Sequence, residues 1–197
     1  MNSLLKQKLI LASKSPRREA LLREMGFQFE VFRMAVDEIY PEEMDPHEVP
    51  VYLSEQKAKA VKPFLKKEKQ SNRILITADT IVCSEGKILE KPCNRVEAKN
   101  MLELLSGKSH EVISGICLVQ QQKLSSFSVS TKVFMKSLSS EEIDHYIEHY
   151  RPYDKAGAYG IQEWIGLIGV EKIEGSFYNV MGLPTKELYE ELQKLSI

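Results

Sequence analysis

The sequence predicts an α/β fold, an elongated mixed β-sheet flanked by helices. Three observations carry this reading. Short, dense apolar runs at residues 9–12 and 74–76 alternate with helical patterns. The polar stretch Gln120-Gln121-Gln122-Lys123 separates two long extended segments, as in an antiparallel hairpin. Hydrophobic residues make up 43% and charged residues 28% of 197 positions, enough apolar material for a sizeable core. With no internal repeat, low-complexity tract or separable linker, residues 1–197 are expected to form a single domain.

In chain order, residues 9–12 read as a buried first strand. Ser15-Pro16 then opens a helix, with serine as cap and proline in the first helical position. Gly26 stops that helix after about Met25, and residues 27–31 form a weak second strand. The acidic stretch 37–50 carries three prolines and is expected to be a loop. Residues 52–65 follow as a helix, and 66–73 as a charged surface link. The strand at 74–76 ends in Thr77-Ala78-Asp79-Thr80, and residues 81–83 continue in extended form to a turn at Glu85-Gly86-Lys87. Capping-box spacing at Asn94/Glu97 and at Ser139/Glu142 starts helices reaching about Leu105 and Tyr150. The hairpin at 110–119 and 126–135 lies between them. Residues 154–162 are expected to form a turn or short helix, 164–168 and 170–173 short strands, 175–184 a loop, and 185–195 a last amphipathic helix.

The formal net charge of −1 gives no argument for a nucleic-acid partner. The N-terminal apolar run is too short for a signal peptide or membrane span, so a cytoplasmic location is expected. Cys83, Cys93 and Cys117 are odd in number and lack metal-ligand spacing, which points to free thiols in a reducing compartment. His145 and His149 share a helix face, but no H-E-x-x-H pattern makes them a zinc site.

The segment from Ser13 to Arg18 concentrates the chemistry. Arg17 and Arg18 sit in the first turn of a helix, where positive charge is unfavourable unless an anion is bound. Ser13, Ser15 and the helix amides would cradle a phosphate, with the guanidiniums on its charge. The alternative on spacing alone is a solvated cap with surface arginines. The segment lacks the G-x-x-x-x-G-K-[ST] pattern of a P-loop. Asp79 lies near the end of a buried strand, which makes it a candidate general base or metal ligand; an aspartate satisfied by backbone amides is the alternative. Glu38, in the acidic loop, offers a second carboxylate for Mg²⁺. Lys57 and Lys91 offer point charges for phosphate, although most such lysines face water. Gln162 closes a glycine-rich stretch and offers both a donor and an acceptor for a base edge.

Taken in order, several segments resemble the Maf family of nucleotide pyrophosphatases, also called septum formation inhibitor Maf-like proteins. They are Leu11-Ala12-Ser13-Lys14-Ser15-Pro16-Arg17-Arg18, Asp37-Glu38, Lys57-Ala58, Ala78-Asp79-Thr80-Ile81-Val82, Lys91-Pro92, Leu105 to Val112, Asp154 to Gln162 and Gly182-Leu183-Pro184. The resemblance runs from Leu9 to about Leu192. It implies an inosine triphosphate pyrophosphatase-like (Maf/Ham1) fold with two lobes and a central cleft, in a homodimer. The stretch from Asp154 to Gln162 is similar to the branch that hydrolyses dTTP and UTP to monophosphate and pyrophosphate. Within that branch Asp79 matches the proton acceptor, and Arg17, Thr80 and Gln162 match specificity positions. Glu38, Lys57, Lys91 and Arg18 match other cleft residues. The expected cofactor is a divalent cation, Mg²⁺ or Mn²⁺, on Glu38 and Asp79. Glu163-Trp164 departs from the family pattern, since many relatives carry glycine and a small or flexible residue there. The competing readings are a pyrophosphatase preferring 7-methyl-GTP or other purine triphosphates, and a nucleotide-binding regulator of septum formation.

Overall fold

The structure is a computed structural model that describes residues 4–67 and 73–195. Most of the expected charged link at 66–73 therefore lies outside the described residues. The elements are β1 (Leu9–Ala12), α1 (Pro16–Glu24), β2 (Phe29–Val31), α2 (Val49–Lys67), β3 (Ile74–Ser84), β4 (Lys87–Leu89) and α3 (Arg95–Leu105). They continue with β5 (Ser109–Gln120), β6 (Lys123–Met135), α4 (Ser140–Tyr150), α5 (Trp164–Gly169), β7 (Val170–Glu174), α6 (Phe177–Val180) and α7 (Thr185–Leu195). The mixed sheet follows the order β2-β1-β3-β5-β6-β7, with β4 paired to β3. A mixed sheet flanked by helices is what the alternation of strand and helix patterns predicts.

Two compact units make up the chain. The first contains Met1–Asp79, Ser114–Val129 and Gly182–Ile197; the second contains Thr80–Ile113 and Ser130–Met181.

In the first unit β1 pairs in parallel with both β2 and β3, with Leu9 opposite Phe29 and Ile74. Chain order β1, β2, β3 thus becomes spatial order 2-1-3. The connections leaving β1 and entering β3 diverge there, and the carboxyl ends of such strands are where open α/β sheets bind ligands. Alternation sends Ile10, Ala12 and Leu75 to one face, where they meet Ala58, Val61 and Leu65 of α2 together with Cys117 and Val119 of β5. Leu9 and Leu11 are equally buried. The helix α2 starts three residues earlier than expected. Pro50 falls in its first turn, where a missing N–H costs nothing.

The second unit has its own core, in which Leu102 and Leu105 of α3 and Ile143, Tyr146 and Ile147 of α4 meet Val112, Val133 and Met135 from the strands. Ser139 and Glu142 form the capping box that their spacing predicts. Asn94 caps α3 through the Glu97 N–H, but the Glu97 carboxylate reaches the Cys93 N–H instead of completing the box. One expected strand is overturned: residues 164–168 belong to α5. A short apolar run fits a buried strand and a buried helix equally. The helix requires glycine at 166, because a Cβ there would stand 1.8 Å from the Ile161 carbonyl oxygen. The expected loop at 175–184 also holds the single turn α6, capped by Ser176. Residues 154–162 contain the 3-10 turn Ala156–Ala158, and β7 follows α5 as expected.

Candidate functional site

The register of β3 delivers Asp79. Leu75, Thr77 and Asp79 share one strand face, and Leu75 sets that face against α2. The Thr77 hydroxyl donates to the Ser54 carbonyl of α2 at 2.7 Å, which pins helix to strand. Lys57 lies in the next turn of the helix, and its ammonium reaches Asp79 Oδ1 at 2.5 Å and Glu38 Oε1 at 2.6 Å. The close approach of α2 depends on Gly115 of β5, where a Cβ would lie 2.2 Å from the Pro50 carbonyl carbon. Lys57 is thus placed by packing rather than by chance at a surface.

The amino end of α1 supplies the second half of the group. Ser15 caps the helix, its Oγ accepting the Arg18 N–H, and Ser13 Oγ accepts the Ser15 N–H at 3.1 Å. Arg18 turns inward. Its Nε donates to the Gly182 carbonyl at 2.8 Å and one terminal nitrogen to the Ala78 carbonyl at 2.9 Å, with a longer bond to Ser13 Oγ at 3.5 Å. The sequence suggests a phosphate clamp at this residue. The geometry adds a tether between α1, the strand carrying Asp79 and the segment leading to α7. Arg17, half-buried beside it, contributes a second positive charge that acts on Arg18.

The charges explain each other. Burial pushes the Asp79 carboxyl above its ordinary range, and Lys57 and Arg18 pull it back down without cancelling the effect. Burial likewise lowers the Arg18 guanidinium, against the favourable pull of Asp79. A carboxylate whose basicity is raised while two cations hold it in place is suited to accept a proton. Asp79 and Glu38 share one cation, the Lys57 ammonium. A divalent ion takes one or two carboxylates and completes its shell from phosphate oxygens, and these two are the carboxylates that meet here. Among the described residues no group of three or more His, Cys, Asp or Glu converges.

Thr80, Lys91 and Gln162 belong to the second unit. Thr80 follows Asp79 directly on β3, half-buried; Lys91 is exposed after β4; Gln162 is exposed at the end of the glycine-rich stretch. That stretch is tightly fixed. Gly157 has φ +66°, and a Cβ on it would meet the Val82 side chain at 3.0 Å. Tyr159 is buried with its hydroxyl 2.7 Å from His110 Nε2, and burial lowers that histidine to about 4, so it is neutral. His145 and His149 do share a face, as expected, but they stack on each other, and His145 also rests against Trp164. Sequence reasoning notes Glu163 and the stretch holding Lys155 but misses Tyr146 and the meeting of all three polar groups around Gly160. Their chain positions carry no common spacing. Lys57 did leave a signal, since it occupies the i+4 row Leu53, Lys57, Val61, Leu65 otherwise filled by buried apolar residues.

The family model described as Maf-like protein matches residues 8–195. The chain is 50% identical to the dTTP/UTP pyrophosphatase of Porphyromonas gingivalis, over 98% of this chain and 96% of that one. It is 49% identical to the protein of the same name from Parabacteroides distasonis, over 98% of each. Identity to that of Cytophaga hutchinsonii is 46%, over 99% of this chain and 87% of the other. A fainter likeness is to the Ham1 protein of Staphylococcus aureus, at 13% identity and a TM-score of 0.40, over 66% of this chain and 72% of that one.

Proposed function

We infer that this chain, which belongs to the Maf-like protein family, hydrolyses dTTP and UTP to the nucleoside monophosphate and pyrophosphate. The observation that carries the chemistry is the buried Asp79 carboxylate held by Lys57, with Arg18 and Glu38 close enough to act on it.

In this reading Asp79 takes a proton from a water molecule as its oxygen attacks the α-phosphorus. The bond to the β-phosphate oxygen breaks, and pyrophosphate leaves with that electron pair. Lys57 holds the Asp79 carboxylate in one orientation and favours its ionised form against its burial. Ser13, Ser15, Arg17, Arg18 and Lys91 offset the charge of the triphosphate and of the leaving pyrophosphate. Arg17, Thr80 and Gln162 select the nucleotide. Glu38 and Asp79 would hold Mg²⁺ or Mn²⁺, which would offset charge on phosphate oxygens.

The chain acts as one catalytic domain, because β3, β5 and β6 each contribute residues to both units. It works as a homodimer, a state for which exposed Leu167, Phe177 and Tyr178 supply apolar surface. Three free cysteines fit a reducing compartment such as the cytoplasm, and no helix among the described residues is long and apolar enough to cross a membrane.

Pyrophosphate release by the purified protein, assayed across canonical and modified triphosphates, tests this reading. The expected result is turnover of dTTP and UTP above all purine triphosphates. Preference for 7-methyl-GTP would move the chain to a purine specificity. Release from none of them, with Mg²⁺ or Mn²⁺ present, would leave a nucleotide-binding regulator.

A further inference from the structure

Lys155 is only 7% exposed, and a lysine is seldom buried unless it is paired. Its ammonium lies 2.7 Å from Asp154 Oδ1 and 3.0 Å from Glu163 Oε1. The other oxygen of Glu163 accepts a hydrogen bond from the Tyr146 hydroxyl. That hydroxyl in turn accepts the backbone N–H of Gly160 at 3.0 Å. Tyr146 is fully buried in α4, and burial followed by the Glu163 carboxylate raises its hydroxyl far above the usual range. It therefore remains a donor to Glu163, and the sense of the network is fixed.

These bonds grip both ends of one turn. Gly160 and Glu163 are its first and last residues, closed on each other by the Glu163 N–H to the Gly160 carbonyl at 3.0 Å. Gln162 sits inside the turn with its side chain exposed. A Cβ on Gly160 would lie 2.9 Å from Gln162 Nε2 and 2.9 Å from the Glu163 carboxyl carbon, so both side chains fold over the bare glycine. A buried ion pair of this kind is weak evidence for stability, because desolvation offsets the attraction. Its consequence here is geometric.

We propose that Lys155, Glu163 and Tyr146 form a brace that fixes the Gln162 side-chain amide in the orientation needed to discriminate the base of the nucleotide. The inference rests on the assignment of Gln162 to base selection. It gives a task to Glu163, whose two carboxylate oxygens are both engaged. The three are positioning residues that act through Gln162.

Tyr146→Phe tests the brace with the ring packing preserved, alongside Glu163→Ala, Glu163→Gln and Gln162→Ala. Steady-state constants are measured for dTTP, UTP and GTP, with melting temperature and Trp164 emission as controls on the fold. Tyr146→Phe and Glu163→Ala are expected to raise KM for dTTP about tenfold, as for loss of one binding hydrogen bond. They should change kcat by less than about twofold and lower the dTTP-over-GTP ratio of kcat/KM. Glu163→Gln, which keeps an acceptor for the Tyr146 hydroxyl, should recover part of that ratio. Combining Tyr146→Phe with Gln162→Ala should lower the ratio no further than Gln162→Ala alone, since both act through one side chain. An unchanged ratio in Tyr146→Phe and Glu163→Ala, with Gln162→Ala lowering it, would overturn the brace and leave the assignment of Gln162 intact. An unchanged ratio in Gln162→Ala itself would remove that assignment, and the brace with it.

Discussion

Replacing Asp79 by asparagine separates the chemistry of the site from its contribution to stability. The two residues have the same shape, so the amide keeps the packing between β3 and α2 while losing the charge. Two terms then oppose each other. The variant forfeits a charge-assisted bond from Lys57, worth about 1.5–3 kcal/mol, and it no longer buries an anion, which costs several kcal/mol per ion after relaxation. Burial outweighs the cations, since the carboxyl is held above its ordinary range, so the variant is expected to melt no lower than the wild type, on a scale where each kcal/mol is about 2–4 °C for a chain of this length. The linkage has a definite sign. With the folded-state pKa above the unfolded one, the stabilising contribution of wild-type Asp79 is complete below the unfolded pKa and is lost as pH rises through the folded pKa. The advantage of the variant should therefore grow across that window and shrink below it. Thermal melts in the presence of a chelator, from about pH 4 to about pH 8, measure this. Pyrophosphate release from dTTP measures the chemistry, and a fall of about 100-fold or more is expected for a lost general base. Near-normal turnover with the fold intact would refute Asp79 as the base. A melting temperature lowered by more than about 4 °C would refute the claim that burial dominates its electrostatics.

Lys57→Met should cut turnover by about 100-fold. Because Lys57 holds the Asp79 pKa down, it should also move the acidic limb of the pH–kcat/KM profile to higher pH; a limb that stays in place would show that the lysine does not act through Asp79. Gly115→Ala should destabilise the fold by about 3 kcal/mol, since the new methyl meets backbone of α2 at 2.2 Å; a melt within about 2 °C of wild type would show that α2 can retreat. Exhaustive chelation should abolish pyrophosphate release, and Mg²⁺ or Mn²⁺ should restore it; full turnover in excess chelator would remove the divalent ion from the reaction.

Much of this was legible because short-range rules decide it. The Ser15-Pro16 start, the Ser139/Glu142 box and the hairpin around Gln121 each depend on residues a few positions apart, and each formed where its spacing placed it. Asp79 was legible as a carboxylate because charge is rare after an apolar run, but it falls in the middle of β3 and not near a strand end, since residues 80–84 continue the strand. Its pairing was not legible, because Lys57 is 22 residues away and the sheet order 2-1-3 has to be known before α2 can be laid over β3. The error at residues 164–168 has a different origin: five apolar or small residues fit a buried strand and a buried helix equally. Arg18 illustrates a subtler gap. Its position predicts an interest in anions, whereas its bonds to the Gly182 and Ala78 carbonyls depend on chain ends that meet only in the fold.

Those bonds bear on how a chain can keep a carboxylate of raised basicity in its core without unfolding. Asp79 is held on its own strand, where the Ala78 carbonyl beside it receives Arg18, while the Thr77 hydroxyl two residues earlier fastens α2. The Arg18 guanidinium and the helix that carries Lys57 are therefore both fixed to β3 within two residues of the carboxylate. The guanidinium cannot drift away without also breaking a bond to the strand. Electrostatics and architecture are in this sense one device. A substitution at Lys57 that kept the helix in place would release the charge alone, whereas loss of Gly115 would displace helix and charge together. Lys57→Met and Gly115→Ala should accordingly differ in kind, the first lowering turnover with the melt preserved and the second lowering both. Parallel losses of turnover and stability in the two variants would show that the ion pair holds the fold rather than the chemistry.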